Sequence, residues 1–133
     1  MEIKFKMKKL ILTLLITLSS LVSFTQESLM GRAYQFYLGE INYEDEIEWV
    51  KGPSAVDILV QFNDHEIIIY SEGHQVYQII KEMGRQGDTV MWKAMDKKGS
   101  YCWVFLTTLD ETNAALTIRY SDYAWMYICR GNK

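Results

Sequence analysis

The stretch that decides the fold covers residues 56–80, VDILVQFNDHEIIIYSEGHQVYQII. In its first seven residues apolar side chains occupy every even position, while Asp57 and Gln61 interrupt the odd ones. This two-residue period is typical of a strand with one buried face. Asn63 and Asp64 follow, and both tolerate the left-handed backbone of a tight turn before an isoleucine-rich run begins. The stretch therefore predicts a β-hairpin.

A second reversal is predicted at residues 72–73, because the glycine there readily adopts the positive φ that a tight turn requires. If both loops contain two residues, Val60 lies opposite Ile67 and Val76 lies opposite Ile69. Three strands then share one apolar face. Its predicted members are Val56, Ile58, Val60, Phe62, Ile67, Ile69, Val76 and Ile80.

Four more alternating runs are predicted as strands, at residues 90–95, 101–107, 114–120 and 123–130. Their predicted register places Trp92 opposite Trp103 and Trp125 opposite Ile118. The predicted inner face is mostly aromatic and contains Val90, Trp92, Ala94, Tyr101, Trp103, Phe105, Leu116, Ile118, Tyr120, Tyr123, Trp125 and Tyr127. The predicted outer face contains Lys93, Thr117 and Arg119.

The fold class follows from these runs and from an earlier run at residues 32–38, which is predicted as a strand with a short helix as the alternative. A break at Gly52-Pro53 separates this run from the hairpins. We expect an all-β protein, an antiparallel up-and-down meander of about nine short strands. Two apolar sheet faces in one small domain normally cover each other, so the strands should form a small barrel or a two-sheet roll.

An N-terminal signal peptide is predicted over residues 1–25, because four lysines precede an apolar run at residues 10–24. That run holds five hydroxyl side chains and is shorter than the roughly 20 apolar residues of a membrane span. Met7, directly followed by two lysines, is a second candidate initiator. We expect export to the periplasm or the cell exterior, no membrane span after signal removal, and a single β domain at residues 26–133.

The charge of this domain argues against polyanionic partners. Residues 26–133 contain 10 basic and 16 acidic side chains, a net charge of −6. Such a field repels nucleic acid, so we expect no nucleic-acid binding. No glycine-rich phosphate loop, nucleophile elbow or paired Cys-X-X-Cys occurs in the sequence, and we expect no cofactor and no catalytic residue.

Cys102 and Cys129 are the only cysteines, and an even count in an exported chain favours a disulfide. The predicted register places them on opposite faces of the sheet, too far apart for a bridge. We therefore expect two unpaired thiols, unless a β-bulge shifts the alternation.

No metal site is expected. His65 and His74 lie about 20 Å apart in the predicted hairpins, at about 3.3 Å per residue. The acidic run at residues 42–48 lacks the alternating ligands and central glycine of a calcium loop, so a solvated turn is the simpler interpretation.

The tryptophans Trp92, Trp103 and Trp125 are the best candidates for ligand binding. An open sheet that presents such rings can stack against sugars or other flat apolar ligands, and a barrel can enclose one. The simpler interpretation is that these rings fill the core.

The lysine-led signal without a lipoprotein cysteine, followed by a tyrosine- and tryptophan-rich meander with segments at residues 76–80 and 120–125, resembles small exported β-rich proteins of Bacteroidota. The resemblance implies no known activity. Our first hypothesis is an exported, non-enzymatic binding or interaction protein of the cell envelope, with an envelope protein as partner. The alternatives are a lipocalin-like small-ligand carrier and a secreted hydrolase. An internal cavity of about 300 Å³ or more would favour the carrier.

Overall fold

The computed structural model describes residues 29–131 and, separately, the backbone of Lys8–Lys9 and Leu12–Thr13. Those two short segments pair as parallel two-residue strands. The remainder of the predicted signal peptide at residues 1–25 lies outside the described residues, as do the last two residues of the chain.

Eight antiparallel strands form a closed barrel, in which each strand pairs with the next in sequence and the last pairs with the first. The strands are β1 (Leu29–Ile41), β2 (Ile47–Phe62), β3 (Glu66–Ile69), β4 (Gln75–Gln86), β5 (Thr89–Met95), β6 (Tyr101–Thr108), β7 (Asn113–Arg119) and β8 (Tyr123–Gly131). The predicted all-β antiparallel meander and barrel are therefore confirmed, with eight strands in place of about nine.

The middle of the barrel is filled by small and branched side chains that no solvent reaches. Its fully buried members are Ala33, Val60, Ile67, Ile69, Ala94, Val104, Leu116 and Ile118. Each isoleucine or leucine buried in this way contributes about 1.5–3 kcal/mol of apolar transfer free energy. The core therefore joins the aliphatic first half of the chain to the second half, as the two predicted apolar faces require.

The first hairpin differs from its predicted register by two residues. Val60 pairs with Ile69, because four residues, 63–66, separate the paired Phe62 and Ile67, and not the two that were predicted. The side chain of Asn63 accepts hydrogen bonds from the amides of His65 and Glu66 at 2.9 and 3.0 Å and so holds the wider loop. A shift of two residues leaves each side chain on its predicted face.

The second hairpin differs by one residue, which turns the strand over. Ile67 pairs with Tyr77 and not with Gln78, because an odd number of residues forms the turn, where His74 has a φ of 35°. Tyr77 is therefore buried, whereas Ile80, predicted inside, is 48% exposed. The predicted inward position of Val76 is wrong for the same reason.

The turn between β5 and β6 also has an odd length, five residues. Trp92 consequently pairs with Val104, and the predicted pair of Trp92 and Trp103 is wrong. Trp103 and Tyr101 lie on the outside of the barrel, 37% and 59% exposed. The pairing of β6 with β7 restores the predicted alternation, and Trp125 pairs with Ile118 as predicted.

The predicted break at Gly52-Pro53 is also wrong, because β2 runs through it without interruption. Three register shifts between β1 and β2 absorb the extra residues of the longer strand. Gly52 has a φ of 114°, and a Cβ atom there would lie 2.6 Å from the carbonyl oxygen of Phe36. Proline is tolerated at such a bulge, where its missing N–H breaks no ladder hydrogen bond.

Cys102 and Cys129 are both buried and both free. The argument from opposite sheet faces is wrong, since both belong to the core. They lie instead at opposite ends of the barrel: Cys129 is level with Ala114 and Thr108, six residues or about 20 Å along β6 from Cys102. Burial raises the pKa of Cys102 to about 11 and that of Cys129 to about 12.

Candidate functional site

One end of the barrel holds a cavity of about 730 Å³ that opens to solvent, and we call it the cup. In an up-and-down barrel alternate turns lie at the same end, and three of the four turns at this end line the cup. They are the turns β3–β4, β5–β6 and β7–β8. The complete lining is Phe36, Gly73, His74, Gln75, Val76, Tyr77, Asp96, Lys97, Lys98, Ser100, Tyr120, Tyr123, Trp125 and Tyr127.

An aromatic wall formed by Tyr120, Tyr123 and Trp125 makes one side of the cup. Tyr123 and Trp125 lie two residues apart on β8, so their side chains leave the strand on the same face. Their rings stack with centroids 5.6 Å apart and planes inclined by 13°. Tyr120 packs across the turn against both rings at 5.3 and 5.6 Å. The wall presents ring faces to whatever occupies the cup.

The deeper part of the cup is also aromatic. Phe36 on β1 and Tyr127 on β8 lie with their ring centroids 5.1 Å apart. Tyr77 reaches the same region from β4 because of the odd-length turn that precedes it. The cup therefore continues into the core, and its apolar surface comes from strands on different sides of the barrel.

Gln75 organises the polar groups at this depth. Its Nε2 donates hydrogen bonds to the hydroxyl of Tyr127 at 2.9 Å and to that of Ser71 at 3.0 Å. Its Oε1 accepts a 2.6 Å hydrogen bond from the hydroxyl of Tyr77. Both amide hydrogens of Gln75 are thus used, while the hydroxyl of Tyr127 acts as acceptor and keeps its own hydrogen for a further partner.

Asp96 fixes the turn between β5 and β6. Its Oδ1 accepts hydrogen bonds from the amides of Lys98 and Ser100, both at 2.9 Å, and its Oδ2 accepts one from the hydroxyl of Tyr120 at 2.7 Å. Desolvation alone would raise the pKa of Asp96, but these hydrogen bonds prevail and hold it below the ordinary value. Asp96 is therefore ionised at neutral pH and ties the turn to the aromatic wall.

Three of the four tyrosines that line the cup keep their hydroxyls protonated. Burial raises the pKa of Tyr77, Tyr120 and Tyr127 above the usual tyrosine value, and for Tyr120 the hydrogen bond to Asp96 adds to the effect. Each hydroxyl therefore serves as a neutral hydrogen-bond donor and acceptor at physiological pH. Such groups orient a ligand without adding charge.

Two lysines stand at the rim of the cup, next to each other in the turn between β5 and β6. The Nζ of Lys97 donates a hydrogen bond to the backbone oxygen of Gly73 at 3.3 Å and so bridges two of the turns. Lys98 is exposed and lines the cup beside it. His74 lines the opposite turn, with its ring against that of Tyr70 at a centroid distance of 4.9 Å. The rim of the cup is therefore lined by two lysines, and the interior is aromatic.

Of the three predicted ligand-binding tryptophans, only Trp125 lines the cup. Trp92 packs against the core, and Trp103 lies on the outer face. The indole N–H of Trp125 is buried without an acceptor among the described residues. The ring is therefore held in place by packing and not by a hydrogen bond.

Sequence reasoning missed most of the cup, notably Gln75, Asp96 and the two rim lysines. The available signal was topological, since polar residues in alternate turns of an up-and-down barrel gather at one end. Gln75 was assigned to the outer face because the second hairpin was predicted one residue out of register.

Catalytic and metal chemistry find little support in the described part of the chain. No group of three or more histidine, cysteine, aspartate or glutamate side chains that could hold a metal ion occurs there. His65 lies in the turn between β2 and β3, at the end of the barrel away from His74. Asp57 forms an ion pair with Arg32 on the surface at 2.8 Å.

The fold and the cup together define a small closed β-barrel with an aromatic cavity open at one end. Comparisons with protein-family models, with curated proteins and with solved structures give no match. Within the residues that the structure describes, no helix has the length and apolarity to cross a membrane. The function must therefore be argued from the cup itself.

Proposed function

We propose that the protein is a non-enzymatic binding protein that takes up a small molecule with a ring-shaped apolar body in the cup. The observation that supports this most directly is the cavity of about 730 Å³. Small-molecule sites usually have volumes of about 300–1,000 Å³, mostly apolar walls and a few converging polar groups. This proposal is related to the carrier alternative from the sequence, but the cup is open to solvent above a filled core and is not the internal cavity expected for that carrier.

The chemistry of the lining suits such a ligand. A flat ring that stacks on an aromatic side chain gains about 0.5–1.5 kcal/mol in addition to the free energy from the buried area. In the aromatic wall, Tyr123 and Trp125 are available for this contact. The hydroxyl of Tyr127 lies deeper in the cup and can donate to a polar atom of the ligand. Ring stacking then supplies affinity, and the deeper hydroxyl supplies orientation.

A hydrolase is less well supported by the same groups. Glycoside hydrolysis of the usual kind needs two carboxyl groups that flank the reacting bond. Among the residues that the structure describes, Asp96 is the one carboxylate that lines the cup. Its three hydrogen bonds and its lowered pKa make it a poor proton donor or acceptor near neutral pH. The cup therefore favours binding without chemistry.

One structural feature supports the first hypothesis from the sequence, an interaction protein of the cell envelope. Trp103 and Tyr101 lie exposed on the outer face, where a partner can contact them. That argument names no particular partner. Export remains a prediction from residues 1–25, and the proposal for the cup does not depend on it.

The test is titration of the protein without residues 1–25 with N-phenyl-1-naphthylamine, a neutral dye with a naphthalene and a phenyl ring that fluoresces in apolar sites. We expect saturable binding with a dissociation constant of about 100 μM or tighter, the range for a ligand of this size. The variant Ser100→Trp places a large ring at the cup and should weaken binding at least tenfold. Ser121→Trp is the matched control, because Ser121 is exposed in the next turn and does not line the cup.

Two outcomes count against the proposal. One is the absence of saturable dye binding by the folded protein. The other is equal binding by the wild type and Ser100→Trp, which would place the dye elsewhere on the surface. Near-UV circular dichroism of both variants, compared with the wild type, confirms that the barrel is intact before the titrations are compared.

A further inference from the structure

We infer that the molecule bound in the cup carries an acidic group, which Lys97 and Lys98 bind at the rim while its ring lies against the aromatic wall. This inference rests on the proposed function and adds the chemical class of the ligand. The structural basis is the placement of two lysines, adjacent in sequence, in a turn that lines an aromatic cavity.

Basic side chains outnumber acidic ones among the residues that line the cup. Residues 29–131 carry nine basic and 15 acidic side chains, an excess of six negative charges. The lining reverses this ratio, with two lysines and one aspartate, while Glu72 and Asp122 stand in the neighbouring turns outside the lining. The two lysines therefore attract a small anion locally, because low-dielectric walls focus the field inside a cavity.

The one carboxylate of the lining is already engaged. Both oxygens of Asp96 accept hydrogen bonds, from two backbone amides and from the hydroxyl of Tyr120. Lys98 also contributes to the lowered pKa of Asp96, so its charge is felt locally. Lys97 contacts a neutral carbonyl, and neither ammonium forms a salt bridge with a described residue. Both lysines therefore have donor capacity left for a ligand anion.

The turn that carries the lysines is held in place before any ligand arrives. The amide of Asp96 donates to the oxygen of Ser100 at 2.9 Å, and that of Gly99 donates back to the oxygen of Asp96 at 3.1 Å. Together with the two hydrogen bonds to the Asp96 side chain, these contacts fix the backbone of both lysines. Little backbone entropy is then lost when an anion binds, which favours affinity.

The experiment compares two probes that differ by one acidic group. N-phenyl-1-naphthylamine is neutral, and 8-anilinonaphthalene-1-sulfonate is the same ring system with a sulfonate. At about 20 mM salt we expect the wild type to bind the sulfonate about fivefold or more tightly than the neutral dye, from two exposed charge contacts. At about 500 mM salt the preference should shrink, since the Debye length falls from roughly 20 Å to about 4 Å.

In the variant Lys97→Gln/Lys98→Gln the affinity for the sulfonate should fall to the affinity that the same variant has for the neutral dye. The matched control is Lys51→Gln/Lys81→Gln, which removes the same charge from two exposed lysines that do not line the cup. The control should retain most of the preference for the sulfonate. A loss in both double variants would show that the overall charge, and not the rim, attracts the anion, and would overturn the inference.

The inference and the proposed function fail in different ways. If the neutral dye binds in a manner that Ser100→Trp abolishes but the sulfonate binds no better, the acidic group is refuted and the binding function stands. If neither dye binds, or if Ser100→Trp binds both dyes as well as the wild type, the proposed function fails and the inference fails with it.

Discussion

The substitution Gln75→Leu tests whether the hydrogen bonds beneath the cup stabilise the barrel as the structure implies. Leucine is similar in size but removes the acceptor of the Tyr77 hydroxyl and the donor to Tyr127. Tyr77 and Tyr127 are both buried and both lose a partner on Gln75, and an unsatisfied buried group costs about 1–3 kcal/mol. Both tyrosines also line the cup, so water there can replace part of what is lost. We therefore expect a loss of about 2 kcal/mol in the free energy of unfolding.

The measurement is urea unfolding followed by tryptophan fluorescence, with Gln78→Leu as control because Gln78 is exposed on the same strand. The control should change the unfolding free energy by less than about 0.5 kcal/mol. The double variant Gln75→Leu/Tyr77→Phe also removes the hydroxyl that Gln75→Leu leaves unpaired. Its loss in unfolding free energy should therefore be smaller, by about 1 kcal/mol or more, than the summed losses of the two single variants. Additive effects, or a cost below about 0.5 kcal/mol for Gln75→Leu, would refute the network.

Three further predictions follow from the fold and the turns. The pKa of Asp96 is lower in the folded protein than in the unfolded chain, so ionised Asp96 stabilises the fold. This stabilisation is fully present above the ordinary aspartate pKa of about 3.9 and is lost as the pH falls through the folded pKa. In urea unfolding at a series of pH values, Asp96→Asn should lack this part of the loss of stability in acid. Gly52→Ala should destabilise the barrel by about 1 kcal/mol or more in the same assay, whereas Gly131→Ala, where a Cβ meets nothing within 4 Å, should be nearly neutral. Cys102 and Cys129 should react slowly with a thiol reagent at pH 8 in the native protein, and both should react at once in denaturant; fast native labelling would contradict their burial.

Alternation of apolar and polar residues predicts the strands and the barrel because it is a local property of each run. The way in which two runs face each other depends instead on the length of the turn between them. The turn before β4 contains both a glycine and His74 with positive φ, and the sequence offers residues 72–73 as an equally plausible two-residue turn. One residue of difference there exchanges the buried and exposed sides of β4.

The cup was harder to predict for a related reason. Trp125 was identified because it belongs to a visibly aromatic run, and the register of β8 against β7 is as predicted. Trp103 was assigned to the same face because the turn before β6 was taken to be one residue shorter than it is. No sequence pattern marks Asp96 and the rim lysines as part of a site. Only the closure of the barrel brings their turn close to the β3–β4 and β7–β8 turns.

The distribution of the tryptophans gives the barrel an internal optical reporter. Trp125 lines the cup, while Trp49 and Trp103 sit on the outside and Trp92 packs against the core. An occupant of the cup should therefore alter the emission of one indole and leave the other three nearly constant. Collections of colourless compounds can then be screened by intrinsic fluorescence alone, with Trp125→Phe as the silent reference.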